Sequence, residues 1–173
     1  PVINGLTDYS HPCQIMADIM TVEEKLGTIK GKKAAWLGDF NNVTRTWAQA
    51  EDIWDFELQC AVPPELCPKE KTYKNTSFTS APLEAANDAH IIVTDTWESM
   101  GQEGKTLDIF RPYQVNNDVM GKAESDAIFM HCMPVHRGEE VTDEVLASDA
   151  CIIYDEAENR LHAQKAILAW CLQ

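Results

Sequence analysis

Short apolar runs and amphipathic stretches take turns along the chain. The runs Lys33–Gly38, Glu57–Val62, Ser77–Ser80, His90–Asp95, Ala127–Cys132 and Ala150–Tyr154 are too short for helices and predict six strands buried on both faces. Between them lie predicted helices over His11–Leu26, Asn42–Trp54, Leu83–Asp88, Asn116–Lys122, Asp143–Ala147 and Glu156–Leu172; in the first, Ile15, Ile19, Val22 and Leu26 recur at three- and four-residue steps. Such alternation predicts a single α/β domain, a doubly wound, mostly parallel sheet flanked by helices. Ligands of these sheets sit beyond the carboxyl ends of the strands. There the chain places Gly38-Asp39-Phe40-Asn41-Asn42, then Asp95 through Gly101, then His131-Cys132-Met133-Pro134, and finally Asp155 through Arg160. Pro63–Asn75, with three prolines and mixed charge, is expected to be the most flexible stretch, and Gly101–Thr106 a second loop able to move.

Composition narrows the partners. A chain of 173 residues, 45% hydrophobic and 24% charged, is long enough for one buried core and is not disordered. Its 28 acidic against 14 basic residues leave a net charge of −14, which argues against nucleic acid and anionic membranes as partners. No stretch approaches the roughly 20 apolar residues of a membrane span, and the chain opens without a secretory pattern. Six cysteines without a CxxC pair read as free thiols in a reducing compartment, and their spacing does not suggest zinc. A Rossmann-like sheet invites a dinucleotide, but the turn after the first run has one glycine and a bulky Phe40 where G-x-G-x-x-G needs a second; a Walker loop is absent too. The Pro1 start reads as a processed chain or a piece of a longer one.

Five motifs in order, namely His11-Pro12-Cys13-Gln14, the Gly38-to-Asn42 turn, Asp95 through Ser99-Met100-Gly101, His131-Cys132-Met133-Pro134 and Glu158-Asn159-Arg160, resemble the carbamoyltransferase family and, through Ser99-Met100-Gly101, its ornithine branch. The resemblance covers nearly the whole chain. It implies that residues 1–173 are the carboxy-terminal, ornithine-binding half of an enzyme that moves the carbamoyl group of carbamoyl phosphate to the δ-amine of L-ornithine, giving L-citrulline and phosphate. It implies no cofactor and no metal, a homotrimer when full length, and a cytoplasmic setting, or the mitochondrial matrix after removal of a targeting segment. The family's amino-terminal domain, whose Ser-x-Arg-Thr loop grips phosphate, has no counterpart in this sequence, so the chain alone is expected to be inactive. Two other readings stay open: a non-catalytic module that holds an amino acid or packs against another subunit, and a carbamoyltransferase with another amine acceptor. The run His136-Arg137-Gly138-Glu139-Glu140 is more like the biosynthetic branch.

The resemblance also implies roles. His11 and Gln14, three apart at a helix start, would meet the oxygen and nitrogen of the carbamoyl group. Arg160, at the start of the last helix, would engage a phosphate or carbamoyl oxygen, the alternative being a salt bridge to Asp155, Glu156 or Glu158. Asp95 and Ser99 would receive the α-ammonium of ornithine, and the Asn42 amide with the Met100 backbone N–H its carboxylate. The δ-amine has a solution pKa near that of lysine, about 10.4, and must lose a proton; Cys132 is the acceptor the family suggests, as a base or as a group that only orients the amine. Phe40, where the family has a small residue, places the Asn42 contact in question. His131 is read as a local hydrogen-bonding group, and Thr142 as the cap of the helix that follows it.

Overall fold

Five of the six apolar runs pair, and every pairing is parallel. The computed structural model describes residues 1–69, 72–97 and 107–173. Its strands are β1 (Lys33–Leu37), β2 (Glu57–Ala61), β3 (Thr76–Thr79), β4 (Ile91–Thr94) and β5 (Ile128–His131), in the order β3-β2-β1-β4-β5. Trp36 lies in register with Cys60 on one side and Val93 on the other. Because β1 is flanked by β2 and β4, the direction of winding reverses between β1 and β4. That crevice is where a doubly wound sheet takes its ligand.

The sidedness of the strands follows from their period of two. Ala34, Trp36, Ile91, Val93, Ile128 and Met130 face one layer, with Ile15, Ile19 and Val22 of α1 (Pro12–Leu26) and Val43, Trp47 and Ala50 of α2 (Asn42–Trp54). Ala35, Leu37, Ile92 and Phe129 face the other, with α3 (Pro82–Ala86), α4 (Asn117–Met120) and α5 (Asp143–Leu146). A fully buried strand must be apolar on both faces, which is why β1, β4 and β5 show no alternation in sequence. β3 differs from expectation: as an edge strand it is nowhere fully buried.

The sixth run is not a strand. Cys151 makes an isolated bridge to Phe129, and the chain turns at once into α6 (Ile153–Cys171). Ile152 and Ile153 are apolar because they enter the two layers on either side of the sheet, not because they extend it. Arg160 therefore sits two turns inside α6 rather than at its start. The stretch Pro63–Asn75 is held where it is described: Pro64–Leu66 form a 3₁₀ turn, and Lys74 N and Asn75 N donate to the buried Glu51 carboxylate at 2.8 and 2.6 Å. Thr142 occupies the position before α5 without a side-chain capping bond. The loop 101–106 lies outside the described residues.

α6 lies along α1. Asn159 Nδ2 donates to Thr21 Oγ1 at 2.9 Å and to Glu24 Oε2 at 2.8 Å, and Lys25 pairs with Asp155 at 2.8 Å. The Lys25 pair is half exposed and contributes little; the Asn159 amide and Thr21 are buried, so the Thr21 hydroxyl has no water to replace the amide. Asn159→Ala is expected to cost about 1–3 kcal/mol, read as a lower urea midpoint with an unchanged m-value.

Candidate functional site

The crevice begins at Gly38. Its φ of +126° is open to glycine, and a Cβ there would stand 3.6 Å from Thr94 Oγ1 and 3.9 Å from the Trp97 ring. Thr94 Oγ1 donates to Leu37 O at 2.6 Å, which locks the ends of β1 and β4 together. Asn41 then caps α2: its Oδ1 accepts from Val43 N at 2.9 Å and Thr44 N at 3.0 Å. With its oxygen so committed, its Nδ2 points across the crevice and donates to Asp95 Oδ2 at 2.7 Å. Asp95 Oδ1 accepts from its neighbour Thr96 N at 2.7 Å and from the Cys132 thiol at 3.0 Å. Three strand ends thus converge on one carboxylate. Burial, followed by the Asp95 charge and hydrogen bond, pushes the Cys132 pKa well above the ordinary thiol range, so sulfur keeps its proton at neutral pH.

The second half of the site is the start of α1. His11 N donates to Thr46 Oγ1 at 2.8 Å, and that hydroxyl donates to Asn42 O at 2.6 Å, so α1 begins pinned to α2. The His11 ring is buried and close to Arg160; desolvation first and the guanidinium charge second lower its pKa to about 4, against smaller raising effects of Asp95 and the Gly5 backbone. Among the described residues its Nδ1 is buried without a partner, as is Arg160 Nε. Between them Gln14 donates from Nε2 to Asp18 Oδ1 at 2.7 Å and to Glu156 Oε1 at 3.2 Å, while its Oε1 accepts from Arg160 Nη1. Asp155, by contrast, belongs to Lys25, and Glu158 faces His162.

The two halves meet through His131. Its backbone N–H donates to Glu156 Oε2 at 2.8 Å, one residue before Cys132. Its Nδ1 accepts from Met133 N at 2.9 Å, so the ring proton lies on Nε2 and is donated to Glu140 at 3.1 Å. Asp95, His131 and Cys132 bring potential metal-ligand atoms within 4.8 Å of one another, as do His136, Glu139 and Glu140. In the first group both ring nitrogens of His131 and the thiol proton are already engaged in hydrogen bonds.

The family model for the aspartate/ornithine carbamoyltransferase Asp/Orn binding domain matches residues 30–171. The chain belongs to that family. It is 53% identical to the ornithine carbamoyltransferase of Brucella ovis and 54% identical to that of Nitrobacter winogradskyi, over 100% and 99% of its own length but 58% and 59% of theirs. Among solved structures it resembles the ornithine carbamoyltransferases of Pyrococcus furiosus (TM-score 0.90, 47% identity, 98% of this chain and 58% of that one) and Thermus thermophilus (TM-score 0.92, 36% identity, 100% and 59%). The chain thus spans less than two thirds of the length of these relatives.

Within this family domain the structure brings together Asp95 and Cys132 on one side, and His11, Gln14 and Arg160 on the other. Ser99 and Met100 lie outside the described residues. Asn42 is turned away from Asp95: its Nδ2 donates to Thr7 O at 2.8 Å. Phe40 leaves the crevice for an aromatic cluster, its ring 5.4 Å from Phe78 and 6.3 Å from Tyr73, with the Arg45 guanidinium 5.3 Å above it. Three participants have roles the sequence reading did not give them, Glu156 having entered only as a salt-bridge alternative for Arg160. Asn41 carries an N-cap signal that hides its second bond, while Asp18 and Glu156 are one helical turn from Gln14 and Arg160, a spacing that could have flagged them.

His11 should titrate with a midpoint near pH 4 in ¹H–¹⁵N spectra of its ring, neutral throughout the physiological range. Since the unfolded ring takes its proton near 6.5, the unfolded chain binds more protons between about pH 6.5 and 4. The His11 contribution to stability is therefore lost as pH falls through that window, and His11→Asn should flatten that part of the stability curve.

Proposed function

We propose that the chain is the ornithine-binding part of an enzyme that transfers the carbamoyl group of carbamoyl phosphate to the δ-amine of L-ornithine, forming L-citrulline and phosphate. One observation carries the reading: an anionic pair, Asp95 with the Cys132 thiol, stands across the switch point from a cationic and polar group, Arg160 with Gln14 and the neutral His11. The first suits an amine and the second a carbonyl bearing a phosphate.

In this reaction the amine nitrogen attacks the carbonyl carbon, a C–N bond forms, the bond from that carbon to the phosphate oxygen breaks, and the amine loses a proton. Arg160 Nε–H, and His11 Nδ1 in the neutral tautomer that carries its proton there, are buried without partners among the described residues and are suited to the carbonyl and its neighbouring oxygens, where charge grows in the transition state. Asp95 supplies the negative charge that draws the amine in. Cys132 acts as a neutral thiol that holds Asp95 Oδ1 in place, so the proton leaves to the Asp95–Cys132 pair rather than to a standing thiolate. Ser99 and Met100 complete the grip on the α-amino acid end of ornithine; Asn42 joins them by exchanging Thr7 O for the substrate carboxylate. The phosphate is gripped by the part of the longer protein that precedes this domain, and that protein works as a trimer in the cytoplasm.

A citrulline assay checks the reading. The full-length protein supplied with both substrates should form citrulline, residues 1–173 alone should form none, and absence of product from the full-length protein sinks the proposal. Asp95→Ala should raise KM for ornithine and lower kcat together, whereas unchanged kinetics would remove Asp95 from the site.

A further inference from the structure

We propose that Asp18, with Glu156 beside it, is a positioning residue that fixes the Gln14 side chain with its carbonyl oxygen turned from the acids toward Arg160, so that the site selects an electrophile carrying an N–H over its methyl isostere. The inference rests on the carbamoyl-transfer reading above and adds a source of its specificity.

An amide can be reversed with almost no change of shape, and only its partners decide which end points where. Gln14 is 1% exposed, so water does not share the decision. Its NH₂ lies on two carboxyl groups, Asp18 at 2.7 Å and Glu156 at 3.2 Å, and its oxygen on Arg160. Reversal would set oxygen against two acids and NH₂ against a guanidinium. The acids cannot turn to accommodate it, because each has its other oxygen on a group that only donates: Trp47 Nε1 on Asp18 Oδ2 at 3.0 Å, and His131 N on Glu156 Oε2 at 2.8 Å.

Two buried carboxylates in hydrogen-bond contact cannot both stay ionised. Burial first, and then for Glu156 the charge of Asp18, raise both, Asp18 to about 7 and Glu156 well above the usual carboxylate range. At most one negative charge then faces the single positive charge of Arg160 through Gln14. A ligand that draws Arg160 away meets a fixed acceptor, and beside it Arg160 Nε and His11 Nδ1 are buried without partners among the described residues. An acyl group with NH₂ satisfies that acceptor; a methyl group leaves it buried and unpaired, the kind of mismatch that discriminates strongly.

Asp18→Asn in the full-length enzyme tests this. Trp47 Nε1–H admits only an acceptor, so the substituted side chain turns its amide oxygen to Trp47 and its NH₂ to Gln14, which reverses the Gln14 amide. KM for carbamoyl phosphate should rise on the order of 10- to 100-fold, while the inhibition constant of acetyl phosphate, which has CH₃ in place of NH₂, stays near wild type and the ratio of the two collapses. Glu156→Gln, with oxygen to His131 N and NH₂ to Asp18, withdraws the longer, 3.2 Å acceptor of the Gln14 NH₂ and leaves Asp18 in place, so its ratio should fall far less than in Asp18→Asn. A purely structural role would lower Tm without moving the ratio. An unchanged ratio in Asp18→Asn, or a collapse in Glu156→Gln as deep as in Asp18→Asn, overturns the proposal. Should Asp18→Asn fail to fold, the Gln14 side-chain NH₂ signals of the wild-type enzyme decide: they should hardly move when carbamoyl phosphate is added, and a large shift would place NH₂ on the ligand and overturn the assignment. Wild-type enzyme that makes no citrulline would instead defeat the underlying function.

Discussion

A carboxyl group taken out of water must find donors, and this domain is stapled together by that requirement. Asp18 binds Trp47 and Gln14; Glu156 binds Gln14 and the end of β5; Glu140 takes His131 and the backbone of His136; Glu51 takes the backbone of Lys74 and Asn75. Each acid joins elements far apart in sequence or holds a loop in one shape. An acid that lost its donors would cost more than the bond itself is worth, because the group would remain buried. The acidity of the chain is thus only partly a solvated surface.

The same requirement builds the crevice. Asp95 stands where winding reverses, and its donors come from the loop after β1, its own strand end and the loop after β5. The sheet order makes this convergence possible, and the carboxylate makes it rigid. Asn41 shows how economically the site is built: one side-chain amide both caps a helix and aims the acid. The neutral His11 and the protonated Cys132 have a common physical origin, desolvation that penalises whichever form is charged.

Strand and helix succession was legible because buried parallel strands and amphipathic helices have different apolar periods. The run Ala150–Tyr154 misled because a buried helix start and a buried strand look alike over five residues; only the neighbouring layers distinguish them. The end of Pro63–Asn75 shows another limit: its prolines and charges signal a loop, but the bonds of Lys74 N and Asn75 N to the Glu51 carboxylate depend on a residue far upstream. Asp95 and Cys132 stood out as residues at strand ends, but their roles came from the family resemblance rather than from that position. Asp18 was passed over, and Glu156 considered only as a salt-bridge partner of Arg160, because acids on helices normally face water.

The order of elements, the two buried faces of the sheet and the motifs of an aspartate/ornithine carbamoyltransferase domain were determined by the sequence alone, since period and motif are local properties of a chain. Which end of Gln14 faces Arg160, where Asn42 places its amide, and which proton Cys132 and His11 hold were decided only by the tertiary structure. Those outcomes depend on distances between residues more than thirty positions apart and on the loss of water around them, and neither quantity exists until the sheet has closed its crevice.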